Sequence, residues 1–381
     1  MFYDSGRKME LDEIRAKIDG IDGEIIKLFE ERMACAKEVA EYKKTHDVPV
    51  LQSGREEQVI AKAQSNIQDP SLRCYAPELM NCLMELSKDY QRRDYNAQVK
   101  TTLAREDLDA HASKGFFGEK GSNTERATRE YFAGGDAISF SSFEDIFEAV
   151  SNGEIKYGVL PIENSSTGAI TDVYDLLGKY NLYVVGEKWL RIEHSLLAKK
   201  GAKTETIAKV YSHPQALGQC KEFLLSRGMQ THECASTSSA CKLIAQGDDL
   251  TCAALADKSN AEIYGLEILE QNVATCKDNF TRFVVIAKNM LNCDADKVSV
   301  HFVIKNKVGS LYNALRVFAR YNVNMTMIES RPIKNNPKNY SFYVDLEGNC
   351  NQNNVMLALE YLQQNSTVFK LIGEYKSGEI K

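Results

Sequence analysis

The sequence is poor in everything that would carry a chain into or through a membrane. Its longest apolar runs, such as residues 283–287, fall far short of the ~20 residues a membrane helix needs. Residues 1–13 hold no apolar stretch of the kind a secretory signal has, so a cytoplasmic location is expected. Ten cysteines are present but no CxxC pair, which excludes a disulfide framework and points to reduced, packed thiols. His232 and Cys234 offer two metal ligands with no second pair at ligand spacing, so a metal site is not expected. Excess positive charge is missing as well: the formal net charge is -6, which argues against nucleic acid as a partner. Internal repeats and low-complexity segments are absent.

What is present suits two or three globular domains: 381 residues, 43% of them hydrophobic and 26% charged. Leu11, Ile14, Ile18, Ile21, Ile25 and Phe29 alternate spacings of three and four, which predicts a helix from residue 11 to about 45, ended by Pro49. Some 35 helical residues make a rod of about 50 Å, longer than a small domain, so a partner chain is expected alongside. A second helix is expected over about 55–65. Pro70 and Pro77 then break the chain before a third, from 78 to about 95. Residues 1–95 thus read as an all-α domain, and the polar stretch 96–113 as a linker with room for one short helix. Short apolar runs at 115–117, 157–162, 182–185, 209–211 and 252–255 then alternate with helical patterns, giving an α/β domain over 114–290. Over 295–376 the order is strand, helix, strand, strand, helix, strand, a ferredoxin-like α+β pattern.

The first helix carries an anomaly. Its seam continues past Phe29 through Arg32, Ala36, Val39 and Lys43, so two cations stand where core residues belong. The third helix places Met80, Met84, Ser87 and Gln91 at the same spacing. A buried, unpaired charge costs on the order of several kcal/mol, so something anionic should answer these cations. That is either a ligand, or Glu56 or another acid, unless both side chains snorkel to water.

Arg15, Arg32, Lys43, Arg55, Glu56, Ser87 and Gln91 together resemble the active-site motif of the all-helical chorismate mutases, over about residues 9–95. The resemblance implies an intertwined homodimer or higher homo-oligomer in which Arg15 reaches into the partner's site. Chorismate would be the substrate and prephenate the product. That rearrangement is unimolecular and needs no nucleophile, only compression of an extended dianion, a task for arginine forks. By family role Arg15 and Arg32 hold carboxylates, Lys43 and Gln91 hydrogen-bond the ether oxygen, and Glu56 binds the ring hydroxyl. Where the family usually has aspartate, this chain has Gln52, which can accept a hydrogen bond but brings no charge.

In the α/β domain five polar clusters follow strands, where open sheets bind ligands. They are 118–124, 161–168, 212–215, 236–239 and 279–283. Each has a plainer reading: Ser122 with Glu125 is a capping box, Ser238 a helix cap, His213 a packed histidine and Glu163 a structural carboxylate. The segments Ile-Glu-Asn at 162–164, Ser-His-Pro-Gln at 212–215 and Thr-Arg-Phe at 281–283 resemble the prephenate dehydratases over about residues 114–288. That family has two lobes like a periplasmic binding protein, the first completed by the chain's return near Asn279. Its reaction expels carbon dioxide and the ring hydroxyl together, and needs no cofactor. Thr281 is implied to assist the departing hydroxyl. Asn164, Ser165, Thr167, Ser212, Gln215, Thr237 and Ser238 are implied to line the cleft, with Arg282 as carboxylate partner or brace.

The last domain resembles the ACT amino-acid-binding domains attached to such dehydratases. Glu329, Ser330, Arg331 and Pro332 match its effector motif; Gly309, Ser310 and Leu311 match the helix-opening one, with Tyr312 departing from it. The resemblance implies phenylalanine as effector. Two other readings stay open: a two-lobed amino-acid sensor without catalysis, and an arogenate dehydratase.

Overall fold

The computed structural model describes residues 10–46, 54–95, 104–275, 278–333 and 336–380, and the chain forms two compact units, Met1–Thr102 and Leu103–Lys381. Among the described residues no helix is long and apolar enough to cross a membrane.

The first unit is helical as expected: α1 (Leu11–His46), α2 (Arg55–Asn66) and α3 (Ala76–Tyr95). Pro70 opens a 3-10 turn capped by Asp69, which accepts from the Ser71 N–H at 2.9 Å. Pro77 does not break the chain before α3, as the sequence suggests. It lies in the helix's first turn, where its missing N–H costs no hydrogen bond, so α3 starts two residues earlier than expected. Among the described residues the N-terminal part of the α1 seam is uncovered, with Leu11 61% exposed, Ile18 51% and Ile25 54%, whereas Phe29 and Arg32 are half-buried.

The second unit begins with β1 (Arg105–Glu106) and β2 (Lys114–Phe117). It continues through α4 (Asn123–Phe132), β3 (Ala137–Phe140), α5 (Phe143–Asn152), β4 (Tyr157–Asn164), β5 (Gly168–Ala169), α6 (Thr171–Lys179) and β6 (Tyr183–Arg191). A second lobe follows: β7 (Ser195–Ala198), β8 (Lys209–Ser212), α7 (Pro214–Gln219), α8 (Lys221–Ser226), β9 (Gln230–Glu233), α9 (Thr237–Gln246), β10 (Cys252–Ala256), α10 (Ser259–Tyr264) and β11 (Glu267–Glu270). Strand β12 (Phe280–Ala287) returns to the first lobe and inserts between β4 and β6, as the resemblance implied. The chain ends with β13 (Met290–Leu291), β14 (Lys297–Val303), α11 (Ser310–Arg320), β15 (Met325–Ile333), β16 (Asn336–Glu347), α12 (Asn353–Asn365) and β17 (Val368–Tyr375). This last stretch has the expected ferredoxin-like order of strands and helices.

The second lobe has the strand order β11-β7-β10-β8-β9, and every residue of its central β10 is buried, as befits a strand covered on both faces. The first lobe and the C-terminal segment share one sheet, β15-β16-β14-β17-β6-β12-β4-β2-β3. The boundary expected at 290–295 is therefore not a seam. Gly373 of β17 pairs with Val184 of β6 so closely that a Cβ there would strike the Val184 carbonyl. The expected linker is corrected too. Residues 105–106 pair in parallel with β13, and the Asp109 N–H donates to Tyr157 Oη at 3.1 Å, so 104–113 belongs to the second unit without a helix. The rest of that stretch lies outside the described residues.

Candidate active sites

In the helical unit the seam spacing brings Arg32 of α1 to α3. Its Nη1 donates to the Leu83 carbonyl at 2.8 Å and to Ser87 Oγ, and Ser87 is 7% exposed. Both acceptors are neutral, so this half-buried guanidinium meets no protein carboxylate among its described partners. Glu56 pairs with Lys88 instead, which removes the Arg32–Glu56 alternative. Arg55 is exposed at the start of α2. Arg15 is exposed, 3.4 Å from Asp12. It sits seventeen positions before Arg32 on the same helix, a rise of about 25 Å, so one copy of α1 cannot bring both arginines to one small ligand. Lys43 and Gln91 lie on α1 and α3, but their side chains, like all of Gln52, fall outside the described residues.

In the second unit Thr281 of β12 faces Asn164 of β4. The Asn164 carboxamide donates to Thr281 Oγ1 at 2.9 Å, to Asn279 Oδ1 at 2.8 Å and to the Phe280 carbonyl at 3.2 Å. Its oxygen accepts from the N–H groups of Ser166 and Thr167 at 3.0 and 3.2 Å and from the Thr167 hydroxyl at 3.3 Å. Asn164 is thus saturated by protein, and Thr167 serves the turn that holds it. Ser165 clamps the same turn to β12, accepting from the Phe280 N–H at 2.9 Å and donating to the Asp278 carbonyl at 3.1 Å.

The polar chain continues beyond the residues singled out from sequence. Asn279 donates to Gln219 Oε1 at 3.1 Å, and His194 Nε2 lies 2.9 Å from the same oxygen. Asn279 and His194 are 2% and 4% exposed; His194 Nδ1 and Gln219 Nε2 are buried without a protein partner. Burial lowers the His194 pKa against the opposing Gln219 hydrogen bond, which favours the neutral ring. The chain crosses from β12 to α7 between the lobes. Sequence reasoning missed Gln219 and His194 because neither lies in a cluster; Asn279 at least opens one.

Other expectations change. Ser212 is fully buried and donates to the Leu255 carbonyl at 2.6 Å, so its hydroxyl ties β8 to β10 rather than lining the cleft. Gln215 is exposed, and its N–H donates to His213 Nδ1 at 3.3 Å, which makes His213 the cap of α7. Ser122 does cap α4, accepting from the Glu125 N–H at 3.2 Å. The cap of α9 is Ser236, in a reciprocal box with Ser239, and not Ser238. Ser238 Oγ is left buried with no protein partner beside half-buried Thr237.

Of the two roles expected for Arg282, the geometry favours the brace. Arg282 is 3% exposed, with Nε donating to Glu187 Oε2 at 2.7 Å and Nη2 donating to Tyr375 Oη at 3.0 Å, and the guanidinium forms an ion pair with Asp345, Nη2 lying 2.6 Å from Oδ2. Burial opposes ionisation of Glu187, yet Arg282 and Lys297 outweigh it and hold the carboxyl below its usual range. A guanidinium already matched by two buried carboxylates is a brace between β12 and the C-terminal segment, not a carboxylate receptor.

In that segment Gly309 opens α11 in the left-handed region, φ 79°, a conformation suited to glycine. Ser310 is half-buried; Leu311 and Tyr312 are 37% and 61% exposed. On the edge strand β15 Glu329 and Arg331 are half-buried, while Ser330 and Pro332 are exposed. Arg331 forks onto Asp175 of α6, Nε to Oδ1 at 3.1 Å and Nη2 to Oδ2 at 3.4 Å. Among the described residues no group of three or more metal-ligating side chains occurs.

Residues 14–92 match the family described as chorismate mutase type II, and residues 115–291 match prephenate dehydratase. A bifunctional chorismate mutase/prephenate dehydratase from Escherichia coli strain K12 is 34% identical over 380 residues, with 96% of each chain covered. Arogenate dehydratase 2 of Petunia hybrida is 34% identical over 83% of this chain and 87% of its own length. Among solved structures, a prephenate dehydratase from Arthrobacter aurescens in complex with L-Phe is 26% identical with a TM-score of 0.64, covering 69% of this chain and 89% of that one. One described as a quorum quenching acylase is 28% identical with a TM-score of 0.65, covering 70% of this chain and 98% of that one. With both catalytic domains matched in order and near full-length identity of this size, the chain belongs to the family of bifunctional chorismate mutase/prephenate dehydratase enzymes.

Proposed function

We propose that the helical unit rearranges chorismate to prephenate and that the two-lobed unit converts prephenate to phenylpyruvate at Thr281. The observation that carries the second step is the Asn164–Thr281 hydrogen bond. A threonine hydroxyl that accepts from a carboxamide keeps its own proton to give, as a departing ring hydroxyl requires. In the first step Arg32 binds one substrate carboxylate, with Ser87 orienting the guanidinium. Lys43 and Gln91 stabilise the ether oxygen, and Glu56 the ring hydroxyl.

The exposed N-terminal part of the α1 seam and the distance between Arg15 and Arg32 support a homodimer in which each mutase site takes Arg15 from the other copy. The C-terminal segment is an ACT domain. Phenylalanine binds at its β15 edge, around Gly309, Ser310, Leu311 and the exposed Ser330 and Pro332, and inhibits the dehydratase. The protein works in the cytoplasm. Incubating the full chain with chorismate, following chorismate loss together with phenylpyruvate formation, tests both steps at once. Turnover of arogenate and not prephenate would move the second step to the other substrate.

A further inference from the structure

Helix α6 belongs to the first lobe, yet the C-terminal segment grips it along its length. Asp175 is forked by Arg331 of β15. The Tyr174 ring lies 5.1 Å from that of Tyr343, and its hydroxyl reaches Met327 Sδ at 3.8 Å. At the other end Lys370 donates to the carbonyl of Leu177 at 2.7 Å and to that of Tyr180, where a cation suits the helix dipole. Gly178 lies against the Tyr343 hydroxyl with no room for a Cβ.

The N-terminal end of α6 leads to the active site. The Ile170 N–H, one residue before the helix, donates to the Ile162 carbonyl at 2.8 Å. Just upstream, β5 pairs with Glu163 and with Asn164, the residue that holds Thr281. A shift of α6 therefore pulls on the turn that positions the catalytic hydroxyl.

Of the ion-paired arginines that join the C-terminal segment to the first lobe, Arg282 and Arg331 differ in burial. Arg282 and its partners Glu187 and Asp345 are at most 3% exposed, so separating them strands charges in the interior. The Arg331 and Asp175 side chains keep 22% and 28% exposure, so water can take over when they part. The first is a fixed brace and the second a separable contact, on the edge strand that carries Ser330 and Pro332.

We propose that the Asp175–Arg331 ion pair transmits effector occupancy at the β15 edge to Thr281 through α6, with Arg331 a coupling residue and not a ligand of the effector. This rests on the reading that the C-terminal domain binds phenylalanine. Coupling needs a contact whose strength differs between the two states of the protein, and a half-exposed ion pair can supply one.

The test uses the full chain and its Asp175→Asn variant, which removes the charge and keeps the shape. Dehydratase rates on prephenate are measured with and without phenylalanine, and phenylalanine binding by calorimetry. The variant should bind phenylalanine and keep its uninhibited rate within about twofold, while inhibition shrinks from the ~5–150-fold range of allosteric effects to below about twofold. Asp175→Lys with Arg331→Glu should restore part of it. A variant inhibited as strongly as the parent overturns the proposal, and so does one that no longer binds phenylalanine, which would place the pair in the effector pocket. If the parent chain itself fails to bind phenylalanine, the sensor reading falls and this coupling with it.

Discussion

Asn164 and Thr281 face each other across β4 and β12, and the carboxamide of one donates to the hydroxyl of the other at 2.9 Å. Thr281→Val keeps the shape and loses the proton. Dehydratase kcat should fall about 100-fold or more, with a smaller change in KM, as expected for a group acting in the transition state. Thr281→Ser should recover most of the rate. Steady-state kinetics on prephenate check this, and a Val variant with near-parental kcat removes Thr281 from the mechanism.

Asn164 has two separable duties. Asn164→Asp keeps acceptors for the Ser166 and Thr167 amides but loses the donor to Thr281, so the turn should survive while kcat falls. Asn164→Ala strips both and leaves buried groups unpaired, at a cost of about 1–3 kcal/mol in urea unfolding. Equal unfolding free energies for the two variants would refute this division.

The Arg282 brace predicts that residues 103–381 unfold as one cooperative unit. Arg282→Met leaves Glu187 and Asp345 without their shared counter-charge and should cost about 3–5 kcal/mol. Arg282→Lys cannot fork to both and should rescue little. Scanning calorimetry would show two separate transitions for the first lobe and the C-terminal segment if the brace were unimportant.

The two activities should separate by mutation. Arg32→Ala, or Lys43→Ala, should lower mutase turnover by about 100-fold or more through lost charge stabilisation, leaving the dehydratase rate on supplied prephenate unchanged. Parallel loss of both rates in a folded variant would contradict separate sites.

His301 stacks on Tyr343 with ring centroids 4.5 Å apart, and burial, aided by Lys370, pushes its pKa from 6.5 down to about 4. The folded state therefore resists protonation more than the unfolded one. The stabilisation from neutral His301 is whole above about pH 6.5 and is lost as pH falls from there to about 4, at most about 3 kcal/mol. His194 shifts in the same direction and adds to the loss. Urea unfolding between pH 4 and 7 should show it, and His301→Phe should flatten the slope; an unchanged slope would acquit His301.

The periodic parts of the chain were legible because helices and buried strands repeat at fixed spacings. The seam from Leu11 to Phe29 marks α1, and the order of elements marks the ferredoxin-like end. Local motifs were legible too: Thr281 and Asn164 lie in short segments at strand ends, where a side chain's type already suggests its task. The same reasoning put Arg32 and Ser87 on the apolar stripes of two helices, and the structure joins the two side chains.

Which polar group meets which across long separations was decided only by the tertiary structure. From sequence Arg282 was open as carboxylate partner or brace, and the choice came with β12 set beside Glu187 and with Asp345 and Tyr375 arriving from sequence positions more than sixty residues later. The pairing of Arg331 with Asp175 was not readable from either residue's surroundings in sequence, and Gln219 and His194 carried no local signal at all. A charge declares that it needs a partner, but the partner is chosen by how sheets and helices pack, and burial then sets whether the pair is a fixed brace or a contact that can open.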